Sequence, residues 1–471
     1  MLSHNAIKDR LKAALDLDVC TSKIVVVGLG VTGISVARYL SALGFDFVIS
    51  DSRDQPSGLS QLQEALGGIV AVTGKFDSEL FSKASHLVVS PGISLTETAI
   101  QQAMQQGVKI IGDIDLFACA VDAPIIAITG SNGKSTVTTM VGDMAIASGK
   151  KAGVGGNLGL AALDLLDAQA DMYVLELSSF QLERTTQLNA AAATVLNISA
   201  DHLDRHANLA DYARQKQRIY VNDGVMVINI DDPIVLKMRE KGRETLTFSI
   251  RNKADFWISN EHNQEYLMHG EKSLMPLTDL PLEGRHNAAN ALAALALGTA
   301  VGLEMDAMLS ALRAFKGLAH RMQCVAVIDG VTWINDSKAT NIGACVAALQ
   351  GSDRKVVLIA GGDAKGADMH ELVPAIKEKV TKIILIGKDA GLIEHALNGR
   401  VPVYEAGNMK EAVEIAGEIV MSGENVLLSP ACASLDQYKN YQDRGDQFAE
   451  AVLNRMKRTI ASLSENIKAA I

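Results

Sequence analysis

One run constrains this chain more than any other: Ile125-Ile126-Ala127-Ile128-Thr129-Gly130-Ser131-Asn132-Gly133-Lys134-Ser135-Thr136, an apolar strand that empties into a glycine turn and a helix start. A strand feeding such a turn aims successive backbone N–H groups, and the positive end of the following helix, at one anionic spot. Lys134 would then reach the terminal phosphates of a nucleoside triphosphate and Ser135 a Mg²⁺ ion. The usual phosphate loop wants a glycine where Ile128 stands, so the pattern is incomplete, and an ordinary strand-to-helix turn is the bland alternative. A lysine set inside a glycine turn behind a buried strand is hard to explain as packing.

Short β-rich apolar runs alternate with amphipathic stretches nearly throughout, the signature of parallel sheets with crossover helices. The 471 residues, 48% hydrophobic and only 4% aromatic, suit three α/β domains in series. The expected boundaries are 1–112, 113–317 and 318–471. Strands are expected at Lys23–Gly28, Phe47–Ser50, His86–Ser90 and Lys109–Ile111, then at Met172–Leu177, Ala193–Leu196 and Val225–Asn229, followed by a hairpin-like polar stretch around Asp255–Met275. The last domain should carry strands near Val325–Ile328, Val331–Ile334, Val356–Ala360, Lys382–Ile386 and Glu424–Leu428.

With 54 acidic against 44 basic residues the net charge is −10, which argues against nucleic acid as a partner. Five scattered cysteines without CxxC spacing suggest neither a disulfide framework nor a zinc site, and fit a reducing cytoplasm. The N-terminal segment lacks the apolar stretch of a signal peptide. The most apolar helix candidate, Ala288–Leu303, reads as a buried core helix rather than a membrane span. A monomer without membrane insertion is expected.

A second nucleotide signal, Gly28-Leu29-Gly30-Val31-Thr32-Gly33, follows a strand directly, with Asp51 at the end of the next. That is the dinucleotide fingerprint in its proper context. Arg53, two residues on, would suit a 2′-phosphate, so an NADP-dependent oxidoreductase competes. Glycines serving only helix–strand packing, or a pocket for another nucleotide such as a UDP-linked substrate, are the other readings. A module that binds ATP without splitting it is a further class.

Glu176, in Met172-Tyr173-Val174-Leu175-Glu176-Leu177-Ser178-Ser179-Phe180-Gln181, lies at the carboxyl end of a buried strand, where open α/β sheets bind ligands. Facing a Lys-Ser turn it suits a Mg²⁺ anchor, though a solvated strand-end glutamate is the plain alternative. Asn197-Ile198-Ser199-Ala200-Asp201-His202-Leu203-Asp204-Arg205-His206 follows the strand expected to lie next to that of Glu176, which makes His202 a candidate metal or phosphate contact as against a merely solvated loop. Asn335-Asp336-Ser337-Lys338-Ala339-Thr340-Asn341 sits at a helix N-terminus and suits ribose and phosphate contacts, or helix capping. Leu428-Ser429-Pro430-Ala431-Cys432-Ala433-Ser434-Leu435-Asp436 follows the last strand, and Cys432, with no matched His and Asp, reads as a packing residue.

Together with His286-Asn287 through Asn290 and His320-Arg321, these motifs resemble the Mur ligases of peptidoglycan synthesis. Within them the Asn-Asp-Ser-Lys-Ala-Thr-Asn and Ser-Pro-Ala-Cys-Ala-Ser signatures are similar to those of the branch that adds D-glutamate. The resemblance covers nearly the whole chain, in family order. It implies an N-terminal Rossmann-like domain holding uridine, a central P-loop-type ATPase domain with a mainly parallel sheet, and a C-terminal Rossmann-like domain closing over ATP and the amino acid. It implies ATP as co-substrate, two Mg²⁺ sites where Mn²⁺ could substitute, UDP-N-acetylmuramoyl-L-alanine and D-glutamate as substrates, and amide formation through an acyl phosphate and a tetrahedral intermediate. A related Mur-type ligase adding a different amino acid is the alternative within the family.

Carried over by resemblance, Val31, Thr32, Asp51, Ser52, Arg53, Gly92, Asn157 and Ser178 would meet the UDP substrate, with Asn157 toward its muramoyl-alanine end. Gly130, Ser131, Asn132, Gly133, Lys134, Ser135, Thr136, Asn287, Asn290, Arg321, Asp336 and Lys338 would hold ATP. Ser135 and Glu176 would share one Mg²⁺. His202 and Lys216, the latter as a carbamate, belong to the second. Lys134, Glu176, His202 and Lys216 would be catalytic, and Thr340, Lys365, Ser434 and Tyr441 would bind D-glutamate. Read without the family, Lys216 is a surface helical lysine. Ala319 stands where the family often has proline, and Tyr438 and Tyr441 where it has phenylalanine.

Overall fold

The computed structural model describes residues 2–56, 58–203, 205–261, 263–282 and 284–470, with side chains up to residue 460. Twenty strands among them form three sheets. The chain divides into two compact units: Met1–Ile198 with Ala210–Asp279 and Ala289–Ala314, and Ser199–Leu209 with Leu280–Ala288 and Phe315–Ile471.

The first sheet holds β1 (Ile24–Val27), β2 (Phe47–Asp51), β3 (Ala71–Thr73), β4 (His86–Val89) and β5 (Lys109–Ile111), ordered β3-β2-β1-β4-β5 and parallel throughout. β1 and β4 are buried at every position, as expected of strands covered on both faces. The helix Val31–Ala42 follows β1 so closely that a Cβ at Gly33 would stand 1.9 Å from the Gly28 carbonyl oxygen. The packing role of that glycine is therefore real, whatever binds above it.

The second sheet, also in the first unit, holds β6 (Ile125–Thr129), β7 (Ala152–Gly156), β8 (Met172–Glu176), β9 (Ala192–Val195), β10 (Val225–Asn229), β11 (Thr245–Ser249), β12 (Phe256–Glu261), β13 (Gln264–His269) and β14 (Lys272–Pro276). Its order is β14-β13-β12-β11-β10-β9-β6-β8-β7. The polar stretch expected as a hairpin is a three-stranded antiparallel meander, β12 to β14, added to the edge of a parallel sheet. The order also corrects one expectation. The strand before His202, β9, does not lie next to β8, because β6 pairs with both and separates them. Glu176 and the segment after β9 thus emerge on opposite sides of the strand that carries the phosphate turn.

β7 reads Ala-Gly-Val-Gly-Gly and carries no strand pattern. It pairs with β8 because its glycines leave room: a Cβ at Gly153 would lie 2.6 Å from the Tyr173 ring. Arg285–Ala300 forms the Ala-rich helix that contains most of the apolar stretch Ala288–Leu303, and no helix among the described residues is long and apolar enough to cross a membrane.

The third sheet, in the second unit, is ordered β15-β16-β20-β17-β18-β19, from β15 (Gln323–Ile328), β16 (Val331–Asn335), β17 (Val356–Gly361), β18 (Val380–Ile386), β19 (Val403–Glu405) and β20 (Asn425–Leu428). Only the β15–β16 pair is antiparallel. Apolar layers cover both faces, one around Cys345, Leu358 and Ile376 and the other around Trp333, Val413 and Phe448. Insertion of β20 between β16 and β17 makes a switch point, where α/β sheets open a crevice at their carboxyl ends.

Candidate active site

The phosphate turn is held from behind. Gly133 caps the helix Lys134–Ala147 at φ 84°, and a Cβ there would lie 2.4 Å from Asn290 Oδ1, so glycine is required both for the backbone and for the closeness of Asn290. Asn197, just past β9, clamps the turn: its carbonyl accepts from Ser131 N at 2.9 Å, its Oδ1 from Asn132 N at 2.8 Å, and its Nδ2 donates to Asn132 O at 3.0 Å. Lys134 Nζ donates to the carbonyls of Gly130 and Ser131, at 2.8 and 2.9 Å, and so lies folded over the turn. Ser135 and Thr136 are buried in the first helical turn.

Around this turn gather two residues that chain distance separates widely. Glu176 is buried at the end of β8, and its Oε1 accepts from Asn157 Nδ2 at 2.6 Å. Lys216, on the helix Leu209–Gln217, is only 1% exposed. Its Nζ donates to Thr129 Oγ1 at 3.3 Å and lies 4.6 Å from the Tyr212 ring centre, while Thr129 Oγ1 donates to Leu177 O at 2.7 Å. Thr129 therefore links the lysine to the backbone next to Glu176. Sequence periodicity made Lys216 a surface residue, and only the tertiary structure shows that it is buried.

These donors suit a hard cation. Among the described residues no group of three or more His, Cys, Asp and Glu side chains forms a metal cage. Mg²⁺ needs none, since it takes one or two protein oxygens and completes its shell with phosphate and water. A serine hydroxyl at the phosphate turn and one buried carboxylate beside it match that donor set.

In the first sheet's glycine turn, Asp51 is spent internally. Its carboxylate accepts from Leu29 N at 2.7 Å and from Arg53 through Nε at 2.9 Å and Nη2 at 2.7 Å. Burial would raise its pKa, but the Arg53 guanidinium and backbone donors bring it below the ordinary value. Arg53 is thus already forked onto a carboxylate, which weighs against a 2′-phosphate there. Val31 is exposed at the helix start, and Ser52, Arg53 and Gly92 are exposed around the same strand ends. Ser178 caps a short helix, accepting from Gln181 N.

The second unit collects the remaining residues. Asp201 accepts from Lys365 Nζ at 2.7 Å and Asn341 Nδ2 at 3.0 Å, with His202 Nε2 3.7 Å away. Burial alone would raise the Asp201 pKa, yet the Lys365 ammonium and His202 outweigh it and hold the group at about 2. Asp336 is the opposite case. It accepts from Ser429 Oγ at 2.9 Å and Met322 N at 3.3 Å, but burial wins and pushes it up to about 7. Lys338 Nζ lies 3.8 Å from the Tyr441 ring centre, a cation–π contact. Asn341 caps the helix Ile342–Gln350, as the capping reading of that motif expects. Asn287 and Ser434 are buried.

Three stretches of the chain match models of one family: residues 22–112 the Mur ligase MurD-like N-terminal domain, 128–298 the Mur ligase middle domain, and 320–432 the Mur ligase glutamate ligase domain. The UDP-N-acetylmuramoylalanine–D-glutamate ligase of Methylococcus capsulatus is 51% identical over 440 residues, 93% of this chain and 96% of that protein. The chain belongs to the Mur ligase family. Ligases of the same name from Marinobacter nauticus and Pseudomonas aeruginosa are 48% identical to this Mur ligase over 435 residues, covering 91% of it and 98% and 97% of themselves. Its fold is similar to that of UDP-N-acetylmuramate-alanine ligase MurC from Thermotoga maritima, with TM-score 0.60 and 20% identity over 92% of this chain and all of that one. A ligase from Acinetobacter baumannii, UDP-N-acetylmuramoylalanyl-D-glutamyl-2,6-diaminopimelate–D-alanyl-D-alanyl ligase, gives TM-score 0.58 at 16% identity, over 94% of this Mur ligase and 98% of its own chain. Asn197 and Thr129, which hold the turn and the buried lysine, were missed as site residues by sequence reasoning. Their only signal was position at strand ends beside the Gly-Lys-Ser turn.

Proposed function

We propose that this Mur ligase joins D-glutamate to UDP-N-acetylmuramoyl-L-alanine with ATP, in the cytoplasm. The observation that carries the reading is the match to a D-glutamate ligase at 51% identity over 93% of the chain and 96% of that protein.

A carboxylate resists attack by an amine, so the alanyl carboxylate oxygen first attacks the γ-phosphorus of ATP. The bond to the β,γ-bridging oxygen breaks, ADP leaves, and an acyl phosphate remains. The N–H groups of residues 130–136 cradle the phosphates, and Lys134 turns from the loop carbonyls to neutralise charge on the transferring group. Bound Mg²⁺, held by Ser135 and Glu176, would supply further neutralisation of phosphate oxygens. Asn157 orients Glu176 through its 2.6 Å hydrogen bond. The ammonium of D-glutamate gives one proton to solvent, its neutral amine attacks the acyl carbon, and the nitrogen gives up a second proton to solvent once the C–N bond has formed. A tetrahedral intermediate collapses, expelling inorganic phosphate and leaving the amide.

Lys216 is assigned as a carbamate, which would convert the buried cation into an oxygen ligand for a second Mg²⁺, with His202 the further ligand carried over from the family. In the second unit Asn287, Arg321, Asp336 and Lys338 are assigned to the nucleotide, and Thr340, Lys365, Ser434 and Tyr441 to the amino acid. The UDP end is assigned to Val31, Thr32, Asp51, Ser52, Arg53, Gly92 and Ser178. The test is ADP release from purified protein with ATP, Mg²⁺ and the UDP-linked alanine. Release that needs D-glutamate and ignores L-glutamate and D-alanine supports the reading, and release driven by another amino acid overturns it.

A further inference from the structure

Arg444 has no role in the chemistry above, yet it is completely buried. It sits in the first turn of the helix Tyr441–Ala470. Its Nε donates to Ser337 Oγ at 3.0 Å and its Nη2 to Ser337 O at 2.8 Å. On the other side Nη1 donates to the carbonyls of Cys432 at 3.1 Å and Ala433 at 3.4 Å. These acceptors are carbonyls and a hydroxyl, none a carboxylate. Burial pulls the guanidinium down to about 10, so it remains a cation at neutral pH.

A buried cation whose hydrogen bonds all go to dipoles is expensive even with the Asp336 and Asp436 carboxylates near enough to act on it, and an apolar side chain would fill the same space at lower cost. What the planar fork does here is join three segments, one of which lies 107 residues from the arginine in sequence. The Asn335–Asn341 turn contributes Thr340, the turn after β20 contributes Ser434, and the helix contributes Tyr441. Ser337 Oγ extends the junction by donating to Tyr441 O at 2.8 Å, and Asn335 Nδ2 closes it by donating to Gly445 O at 2.9 Å. The first turn of that helix, with Tyr441 and Arg444 three residues apart, is thereby tied to both turns at once.

We propose that Arg444 is a positioning residue for the amino-acid substrate: its fork sets the mutual placement of the turns bearing Thr340 and Ser434 and of Tyr441. The inference rests on the assignment of these three residues to D-glutamate. A lysine keeps the charge but presents a single ammonium, which cannot serve both turns with the fork's geometry.

The experiment is steady-state kinetics of Arg444→Lys in the full-length enzyme, varying each substrate in turn, with thermal melting alongside. The KM for D-glutamate should rise roughly tenfold or more, while the KM for the UDP-linked alanine stays within about twofold and that for ATP, whose Asp336 and Lys338 share the Ser337 turn, rises less than that for D-glutamate. A lowered melting temperature with an unchanged D-glutamate KM would make Arg444 a structural residue and overturn the proposal, as would a parallel rise in all three KM values. Should Arg444→Lys not fold, Ser337→Ala decides: it keeps the bonds to the Cys432, Ala433 and Ser337 carbonyls but cuts the link to Tyr441, and a selective rise in D-glutamate KM supports the proposal while no change overturns it. Wild-type enzyme that does not use D-glutamate would refute the assigned function instead, and the two failures are told apart by that control.

Discussion

Asn197 offers the sharpest test of how the phosphate turn is built. Its side chain makes two hydrogen bonds to the Asn132 backbone, at 2.8 and 3.0 Å, in a half-buried site. Asn197→Ala removes both and leaves the Asn132 N–H and C=O to find partners. At a net ~1 kcal/mol per hydrogen bond, the loss is about 2 kcal/mol, shared between folding and preorganisation of the turn. If most falls on preorganisation, kcat/KM for ATP drops roughly tenfold to thirtyfold, since ~1.4 kcal/mol is a factor of ten. Affinity for the UDP-linked substrate, measured by calorimetry without ATP, should not change. Asn197→Asp separates geometry from charge: it keeps an acceptor for Asn132 N–H but adds a negative charge beside the phosphates. It should melt closer to wild type than Asn197→Ala and yet bind ATP more weakly. Wild-type kcat/KM for ATP in both variants would refute the idea that Asn197 holds the turn in its binding form.

Three other outcomes follow from the same geometry. Lys134→Ala should abolish turnover while the UDP-linked substrate still binds, and near-normal activity would remove Lys134 from phosphoryl transfer. Lys216→Arg keeps a cation but cannot carry the carbamate, so intact-protein mass spectrometry at mildly alkaline pH with bicarbonate should show the added CO₂ in wild type only, and activity should fall by at least about a hundredfold if that group holds a metal. The two buried carboxylates of the second unit should give opposite pH responses. Asp201, held at about 2 against an ordinary 3.8, contributes stability present above pH 3.8 and lost as pH falls through 2. Asp336, pushed up to about 7, favours folding while protonated, and that contribution declines as pH rises from 3.8 to 7. Denaturant midpoints across both windows should flatten selectively in Asp201→Asn at the acid end and in Asp336→Asn at the neutral end, and unaltered profiles would count against both environments.

What the sequence disclosed, and what it hid, divides along a physical line. Strands buried on both faces, such as β1, β6 and β17, advertise themselves as unbroken apolar runs, and the glycine turns after β1 and β6 carry their own conformational demand. β7 could not be read because its glycines are a response to Tyr173 in the neighbouring strand, a constraint written in another part of the chain. The placement of β9 failed similarly: strand adjacency is a property of topology, and nothing in Ala192–Val195 states that β6 lies between it and β8.

Lys216 is the clearest instance. Its own helix segment, Leu209–Gln217, is polar and looks solvated, yet the lysine is sealed beneath Tyr212 and against Thr129, the residue that opens the phosphate turn. Family resemblance named it without giving a cause. The structure adds that Lys216 is buried, and a buried ammonium beside a phosphate cradle would repel a divalent ion that came to the triphosphate. The proposed carbamylation would reverse the sign of the group while keeping its long reach. The same reasoning separates Lys216 from Arg444. Both are buried cations, but a guanidinium cannot be deprotonated readily and has no free amine to carbamylate, so its charge is permanent and its value lies in geometry. On the two proposals, a lysine stands where the charge changes and an arginine where the turns bearing Thr340 and Ser434 are tied to the helix.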